Sequence, residues 1–412
     1  MTPLPIAALM VTWSRIARGR IEQGLTMAGE IQVAFHEIEA TVVWQRCPRM
    51  TSTRRCKRAD LLATVLAVLA ILCGVPASGR ADDAVVRIMT QNMDEGTGFQ
   101  ELIAAQSPGD FVAAVTTTYQ NILATKPAER AAAIAREIAR EEPDIVGLQE
   151  ASIVRTGAAA PATVVKSDLL QSLLDELGRL GEHYSVAAIV PGLDAEAPST
   201  LGFHVRLTTQ DAILVRQGHD GDRILVANNH AQHYLTNLVT PTAIGPITLP
   251  RGWASIDVTI DNRSFRFVST HLDTTAAVQL AQVKELILAA GSTTLPVVFS
   301  GDFNATADTG LDPTFATYQA VINAGFIEAW PQKRAPDPGF TCCQAPNLLN
   351  TTSLLNHRID LILLRGAFGI SDIHLIGNKP ADRTASGLWP SDHAGVVATL
   401  RIPGPGQQHS GN

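Results

Sequence analysis

The spacing of apolar positions changes several times along this chain. Val85–Gln91 is a short strand-like run that stops at Asn92, and Asp144–Gln149 is a buried-strand run that stops at Glu150. Between them, Phe99–Ala124 has helical character interrupted at Ser107-Pro108-Gly109. Ala128–Glu141, with its Ala, Ile and Arg-Glu pairs, predicts a helix ended by Pro143. Leu169–Leu180 and Val278–Ala290 predict two further helices. Strands are predicted at Ala212–Arg216, Ala254–Ile260, Phe265–Thr270, Pro296–Ser300, Ile359–Leu364 and Val396–Leu400. In one of these, Ala254, Ile256, Val258 and Ile260 alternate with polar residues, so one face is dry. Regions 151–168, 190–210 and 228–250 are expected to be loop-rich insertions. With no internal repeat, 82–402 reads as one α/β unit, followed by a Pro/Gly/Gln tail at 403–412 expected to be disordered.

Ahead of that unit, Arg54, Arg55, Lys57 and Arg58 precede the uncharged run Leu61–Leu72, and then Ala77-Ser78-Gly79-Arg80-Ala81. A basic start, a short apolar stretch and a small-residue exit predict a signal peptide over 50–81 and a secreted or periplasmic protein. The run falls short of the roughly 20 residues a membrane span needs. The competing readings are a buried core helix and an anchor. A lipoprotein signal at Cys73 is disfavoured by the bulky Leu72. Met50 stands where such a signal begins, so 1–49 is either a long leader or an over-extended start, and no fold is assigned to it.

The 412 residues are 46% hydrophobic and 17% charged, which fits a folded globular chain and excludes collagen-like or wholly disordered classes. The net charge of −7 divides unevenly. Residues 1–81 hold ten Lys/Arg against five Asp/Glu, and 82–412 hold 22 against 34. An acidic body disfavours extended, non-specific wrapping of nucleic acid. It leaves room for a local phosphate cleft, because a bound cation inverts the field around it. Cleavage near Ala81 leaves Cys342 and Cys343 as the only cysteines. Their options are a vicinal disulfide, two packed thiols or, least favoured, a metal site.

The chemistry gathers where strands end. Asn92, Glu150, His271 and Asp302 each follow an apolar run, whereas Asp360 and Asp392-His393 stand at or before the start of one. In an antiparallel sheet, strand ends and neighbouring strand starts share a rim. Carboxylate and amide oxygens there suit a hard cation such as Mg²⁺. A cation on a phosphoryl oxygen stabilises developing charge, and Asp or His nearby can orient or deprotonate water and protonate a leaving oxygen. No P-loop and no Gly-x-Ser-x-Gly is present. The pair His230 and His233 reads as two surface histidines rather than a metal site.

Taken in order, Thr90-Gln91-Asn92-Met93, Asp144–Glu150, Ser269-Thr270-His271-Leu272-Asp273, Gly301-Asp302-Phe303-Asn304, Arg358–Leu363 and Ser391-Asp392-His393 resemble the endonuclease/exonuclease/phosphatase family, built like pancreatic deoxyribonuclease. The resemblance spans about 85–402. It implies a four-layer sandwich: two mostly antiparallel sheets face to face, helices outside, and the site at one end. It implies Glu150 as principal metal ligand with Asn92 beside it, and Asp392 as another metal or supporting carboxylate. It further implies Asp302 and Asn304 on the water and phosphate, His393 as base or phosphate-stabilising cation oriented by Asp360, and His271 as general acid. Arg251 is either a basic residue near the phosphate or a surface strand arginine. Mg²⁺ is the expected cofactor, with Mn²⁺ as an alternative.

Two features depart from compact members. Phe99–Thr125 is expected to be an added helical element, and Phe340–Gln344 a loop over the site. Tryptophan-rich signatures of inositol-polyphosphate phosphatases are absent. The leading expectation is a monomeric phosphodiesterase acting on a phosphoester, with nucleic acid first. The alternatives are a phospholipid phosphodiesterase of the sphingomyelinase kind and a binding module without chemistry.

Overall fold

The computed structural model describes residues 83–218, 224–308 and 310–404, all within the unit Ser78–Asn412. The expected leader, the signal peptide and most of the tail lie outside the described residues.

The first sheet contains β1 (Ala84–Asn92), β2 (Ile145–Gln149), β3 (Ile153–Gly157), β4 (Val164–Asp168), β5 (Tyr184–Pro198), β6 (His204–Arg216), β15 (Gly369–Ile376) and β16 (Gly395–Ile402). Its order is β15-β16-β1-β2-β6-β3-β4, with β5 also paired to β6. The second runs β13 (Ile327–Glu328), β14 (Asp360–Arg365), β12 (Val297–Asp302), β11 (Arg263–His271), β10 (Gly252–Ile260), β7 (Ile224–His233). A separate hairpin joins β8 (Leu238–Thr242) to β9 (Gly245–Leu249). Each large sheet holds one parallel pair, β1 with β2 and β11 with β12, and its other pairs are antiparallel.

Strand alternation explains the layers. Val86, Ile88, Ile145 and Ile213 meet Ile256, Val258, Phe265, Phe267 and Val298 between the sheets, and all are fully buried. Truncating a core ring such as Phe267 to Ala costs about 3–5 kcal/mol. The opposite faces carry their own apolar residues, and each is covered by helices. Met89, Val146 and Leu148 pack against Ile134 and Ile138 of α3 (Pro127–Glu141) and Leu173 and Leu177 of α4 (Leu169–Arg179). Val268, Phe299 and Leu363 pack against Val283 and Leu286 of α5 (Ala276–Ala289) and Val321 of α6 (Phe315–Asn323). This is the expected four-layer sandwich.

The helical insertion is two helices, α1 (Gln100–Ala104) and α2 (Pro108–Ala124). Ser107-Pro108 is the start of the second: Ser107 Oγ accepts from the Asp110 N–H at 3.2 Å, and Pro108 needs no partner for a missing N–H. A short α7 (Ala329–Arg334) follows β13.

The three regions expected to be loops are instead largely strands. They contain β3, β4, β8, β9, the ends of β5 and β7 and the start of β6. Their residues are mostly exposed or half-buried, as in β4 and β7. A strand solvated on both faces has no apolar alternation to announce it, and pairing to a neighbour sets its course. His230 and His233 lie on β7, exposed.

Candidate active site

The core turns polar toward one end of the sandwich. Thr90 Oγ1 donates to Gln149 Oε1 at 3.2 Å, and Gln149 Nε2 donates across the gap to Ser269 Oγ at 3.2 Å. Beyond this bridge lie the strand ends. Asn92 closes β1, Glu150 follows β2, His271 closes β11, Asp302 closes β12, and Asp360 opens β14 opposite Asp302. The close approach of β12 to β11 requires Gly301, at φ 141°, because a side chain there would strike the Thr270 backbone.

Glu150 sits in the left-handed region at φ 58°, between two strands that both pair with β6. Its N–H donates to Asp211 Oδ1 at 3.1 Å, which fixes this break and brings Asp211 into the site. Asn92 Nδ2 donates to both Glu150 Oε1 (3.2 Å) and Asp302 Oδ2 (3.1 Å). The Glu95 N–H donates to Glu150 Oε2 at 2.9 Å.

His271 is buried, with Nε2 3.5 Å from Asp302 Oδ2 and 3.9 Å from Glu150 Oε1. Arg251 Nη1 lies 2.8 Å from His271 Nδ1. A guanidinium only donates, so Nδ1 accepts and the ring's proton sits on Nε2, facing the carboxylates. Of the two readings for Arg251, the geometry places it at the rim.

His393 precedes β16, its N–H donating to Ser391 Oγ at 3.1 Å while that hydroxyl donates to Asn92 O at 2.7 Å. Its Nδ1 is 2.8 Å from Asp360 Oδ2, and its Nε2 is 3.9 Å from both Asp302 Oδ2 and Asp392 Oδ1. Burial opposes charge on this ring, but Asp360, Asp392 and Asp302 outweigh it and hold the pKa well above the ordinary histidine value. Asn304, at φ 48°, donates its N–H to Asp302 Oδ1 (2.7 Å) and its Nδ2 to Leu272 O (3.0 Å). It therefore orients Asp302 through its backbone.

Three groups at the site went unnoticed in the sequence. Asp94 and Glu95 are buried on the turn after β1, and Asp211 lies in mid-strand. A fourth, Arg130 on α3, is fully buried. It donates to the carbonyls of Thr125 (3.0 Å), Met93 (2.6 Å), Asp94 (2.7 Å) and Pro390 (3.1 Å). It ties the turn after Asn92 to the loop that carries His393. The only cue was an arginine at an apolar position of a helix.

The segment expected over the site lies against it and braces two of its chain segments. Thr341 donates its N–H to His357 O, and its carbonyl accepts from Ala394 N–H (2.8 Å). Gln344 N–H donates to Asp392 O (2.8 Å). Thr341 and Cys342 are buried, because a backbone inserted between two chain segments finds its hydrogen bonds there. Cys342 and Cys343 are joined as a disulfide beside His393.

The donor set fits a hard divalent cation. Glu150 and the Asp94, Asp392 and Asp302 carboxylates offer oxygens, the class Mg²⁺ and Mn²⁺ accept, while Asn92 turns its Nδ2 toward Glu150 and Asp302 and its Oδ1 accepts from the Asp94 N–H at 2.9 Å. Burial followed by repulsion from Glu150 drives the Glu95 carboxyl well above its usual range. Burial also raises Asp94, and burial with Asp94 and Glu150 raises Asp392, which keeps 28% of its side chain exposed. A cation among them relieves this crowding.

Comparison with known proteins gives the following. A search of the curated proteins finds no match. Among solved structures, humanized D. rerio TDP2 is similar at 16% identity over 77% of this chain and 98% of its own, with TM-score 0.47. An endonuclease/exonuclease/phosphatase family protein from Bacteroides thetaiotaomicron is similar at 15% over 80% and 99%, TM-score 0.49. A mannosyl-6-phosphatase from Bacteroides thetaiotaomicron VPI-5482 is similar at 16% over 76% and 99%, TM-score 0.43. The family model for the Endonuclease/Exonuclease/phosphatase family matches residues 118–393, which takes in Glu150, His271, Asp302, Asp360 and His393, and the chain belongs to that family.

Proposed function

We propose that this chain, a phosphoester hydrolase by family, is a Mg²⁺-dependent phosphodiesterase. The carrying observation is the convergence of Asn92, Glu150, His271, Asp302 and the Asp360–His393 pair on one rim within ion-pair reach. Glu150 would hold the cation, with Asp392 and Asp94 close by and Asn92 beside it, bonded to Glu150 through its side-chain amide. When bound, the cation polarises a phosphoryl oxygen and offsets the charge that grows there. Asp302, held by the Asn304 N–H, accepts a proton from the attacking water or orients it. His393, kept charged by Asp360, faces the phosphate as a cation. His271, with Arg251 at Nδ1, directs its Nε2–H into the site as a hydrogen-bond donor to the phosphate or the departing oxygen, not as the imidazolium that a general acid requires. Arg251 fixes that tautomer. Nucleic acid is the first substrate class to assay and phospholipid the second. We also propose that the protein is exported and begins near Asp82.

The experiment is a panel of plasmid DNA, RNA, bis(p-nitrophenyl) phosphate, sphingomyelin and an inositol phosphate, each with Mg²⁺, Mn²⁺ or chelator. Metal-dependent turnover of at least one diester is expected. Failure with every diester in both metals overturns the reading. N-terminal sequencing of exported protein tests the second proposal, and a chain retaining Leu61–Leu72 overturns it.

A further inference from the structure

An apolar cavity of about 110 Å³ lies between α1–α2, the open half of β5–β6 and the β8–β9 hairpin. Its walls include Phe99, Tyr119, Leu207 and Ile247. Its lining acid, Glu196, is already engaged: it accepts from the Ala162 N–H (2.9 Å) and pairs with His204 (3.1 Å). The cavity is close in size to engineered apolar cavities that take up a benzene ring.

Three chain segments run from the rim directly into this cavity. Glu95, bonded to Glu150, leads to Phe99, and Arg251, bonded to His271, is two residues from Leu249. The third segment is β6. Along one face of that strand stand Val205 and Leu207 in the cavity, Asp211 at the rim, and Ile213 and Val215 in the core. The Leu193 N–H donates to Thr209 Oγ1 at 2.8 Å, so the near wall begins two residues, about 7 Å, from Asp211. Val205 puts the far wall at about 20 Å. The mouth is apolar as well: Ile103 and Ile244 line it at 44% and 54% exposure, and Val239 nearby on the hairpin is 56% exposed.

We propose that this cavity binds the alkyl or acyl chain of an amphiphilic phosphodiester whose phosphate is held at the rim. The inference rests on the phosphodiesterase reading and adds the substrate class. Its basis is continuity: one strand face presents an acid to the phosphate end and an uncharged trough to whatever lies beyond. No lysine, arginine or histidine lines it to meet a second phosphate, and its one acid would repel one.

The test is kcat/KM for methyl, butyl, octyl and dodecyl esters of p-nitrophenyl phosphate, below their aggregation concentrations. The distance from Asp211 predicts little gain from methyl to butyl. From butyl to octyl, burial of two or three methylenes predicts a gain of about 10- to 50-fold. Ile247→Asn, and separately the exposed double variant Ile103→Ser/Ile244→Ser, should reduce that gain at least threefold while the methyl ester is cleaved as before. A flat series in the wild-type protein, or an undiminished gain in a folded variant, overturns the inference and leaves the phosphodiesterase reading standing. An equal gain for a thymidine 5′-ester assigns the cavity to a base and also overturns it. If no ester is cleaved, the phosphodiesterase reading falls. Calorimetric binding of octyl phosphate against methyl phosphate then decides the cavity: about tenfold tighter binding supports it, and equal binding overturns it.

Discussion

Asp302 and Asp360 stand opposite one another as register partners on β12 and β14, and His393 reaches both, through Nδ1 to Asp360 and Nε2 toward Asp302. The imidazole is thereby held between two buried carboxylates. His393→Ala should lower kcat/KM about 100-fold or more. Asp360→Asn should lower it by a smaller factor, and the double variant little beyond the worse single one, because groups acting as a unit are not additive. Losses that multiply would show that the two side chains act separately.

Glu150→Gln keeps the shape of the side chain and its place between β2 and β3 but removes the negative charge. It should raise the Mg²⁺ concentration for half-maximal activity at least tenfold, with the melting temperature in chelator nearly unchanged. A wild-type response across limiting Mg²⁺ would remove Glu150 from the ligand set.

Arg130 is a positioning residue with a structural signature of its own. Arg130→Lys keeps the charge and loses the fork that serves four carbonyls, so stability should fall by about 1–3 kcal/mol. Activity should fall as well, with a larger effect on the Mg²⁺ requirement than on KM, because Asp94 and the His393 loop lose their common tether. Denaturant midpoints and Mg²⁺ titrations of kcat/KM check both.

Glu137 on α3 has both carboxyl oxygens buried without a partner. Burial, followed by Asp382, pushes its pKa up to about 8. The folded state thus retains a proton that the unfolded chain loses above the ordinary glutamate range. This group's contribution to stability therefore falls as pH rises between about 4.5 and 8. Glu137→Gln should leave stability near pH 4 almost unchanged and raise it at pH 8, by on the order of 1–3 kcal/mol. Melting curves of both proteins from pH 5 to 8.5 measure it. Parallel curves would contradict the assignment.

The strands that position the rim were legible because each is buried, and its apolar run ends on a polar residue. That holds for β1 at Asn92 and β12 at Asp302, while β14 begins on Asp360. The helix boundaries were close for the same reason, the apolar face of α3 and α4 being well defined. What escaped falls into two kinds. Strands such as β4 and the second half of β7 lie in solvent and carry no period. Residues such as Asp94, Asp211 and Arg130 join the rim through a turn, a mid-strand position and a helix face, where only the tertiary arrangement brings them to Glu150 and His393. The bracing role of Phe340–Gln344 was not legible, because its short run of residues gives no sign of the two backbones it bonds.

The regularity of β6 has a consequence for how chains of this kind can vary. Its partners absorb the irregularities, at Glu150 on one side and in β5 on the other, while β6 itself keeps strict alternation from Val205 to Val215. Inserting or deleting a single residue within it would turn either the trough or the core residues to the opposite face, and Asp211 with one of them. Length changes confined to the Thr200–Phe203 turn or the β8–β9 hairpin leave that ruler untouched. Descendants of this chain are thus free to reshape the mouth of the cavity while the spacing between acid and trough is inherited as one fixed length.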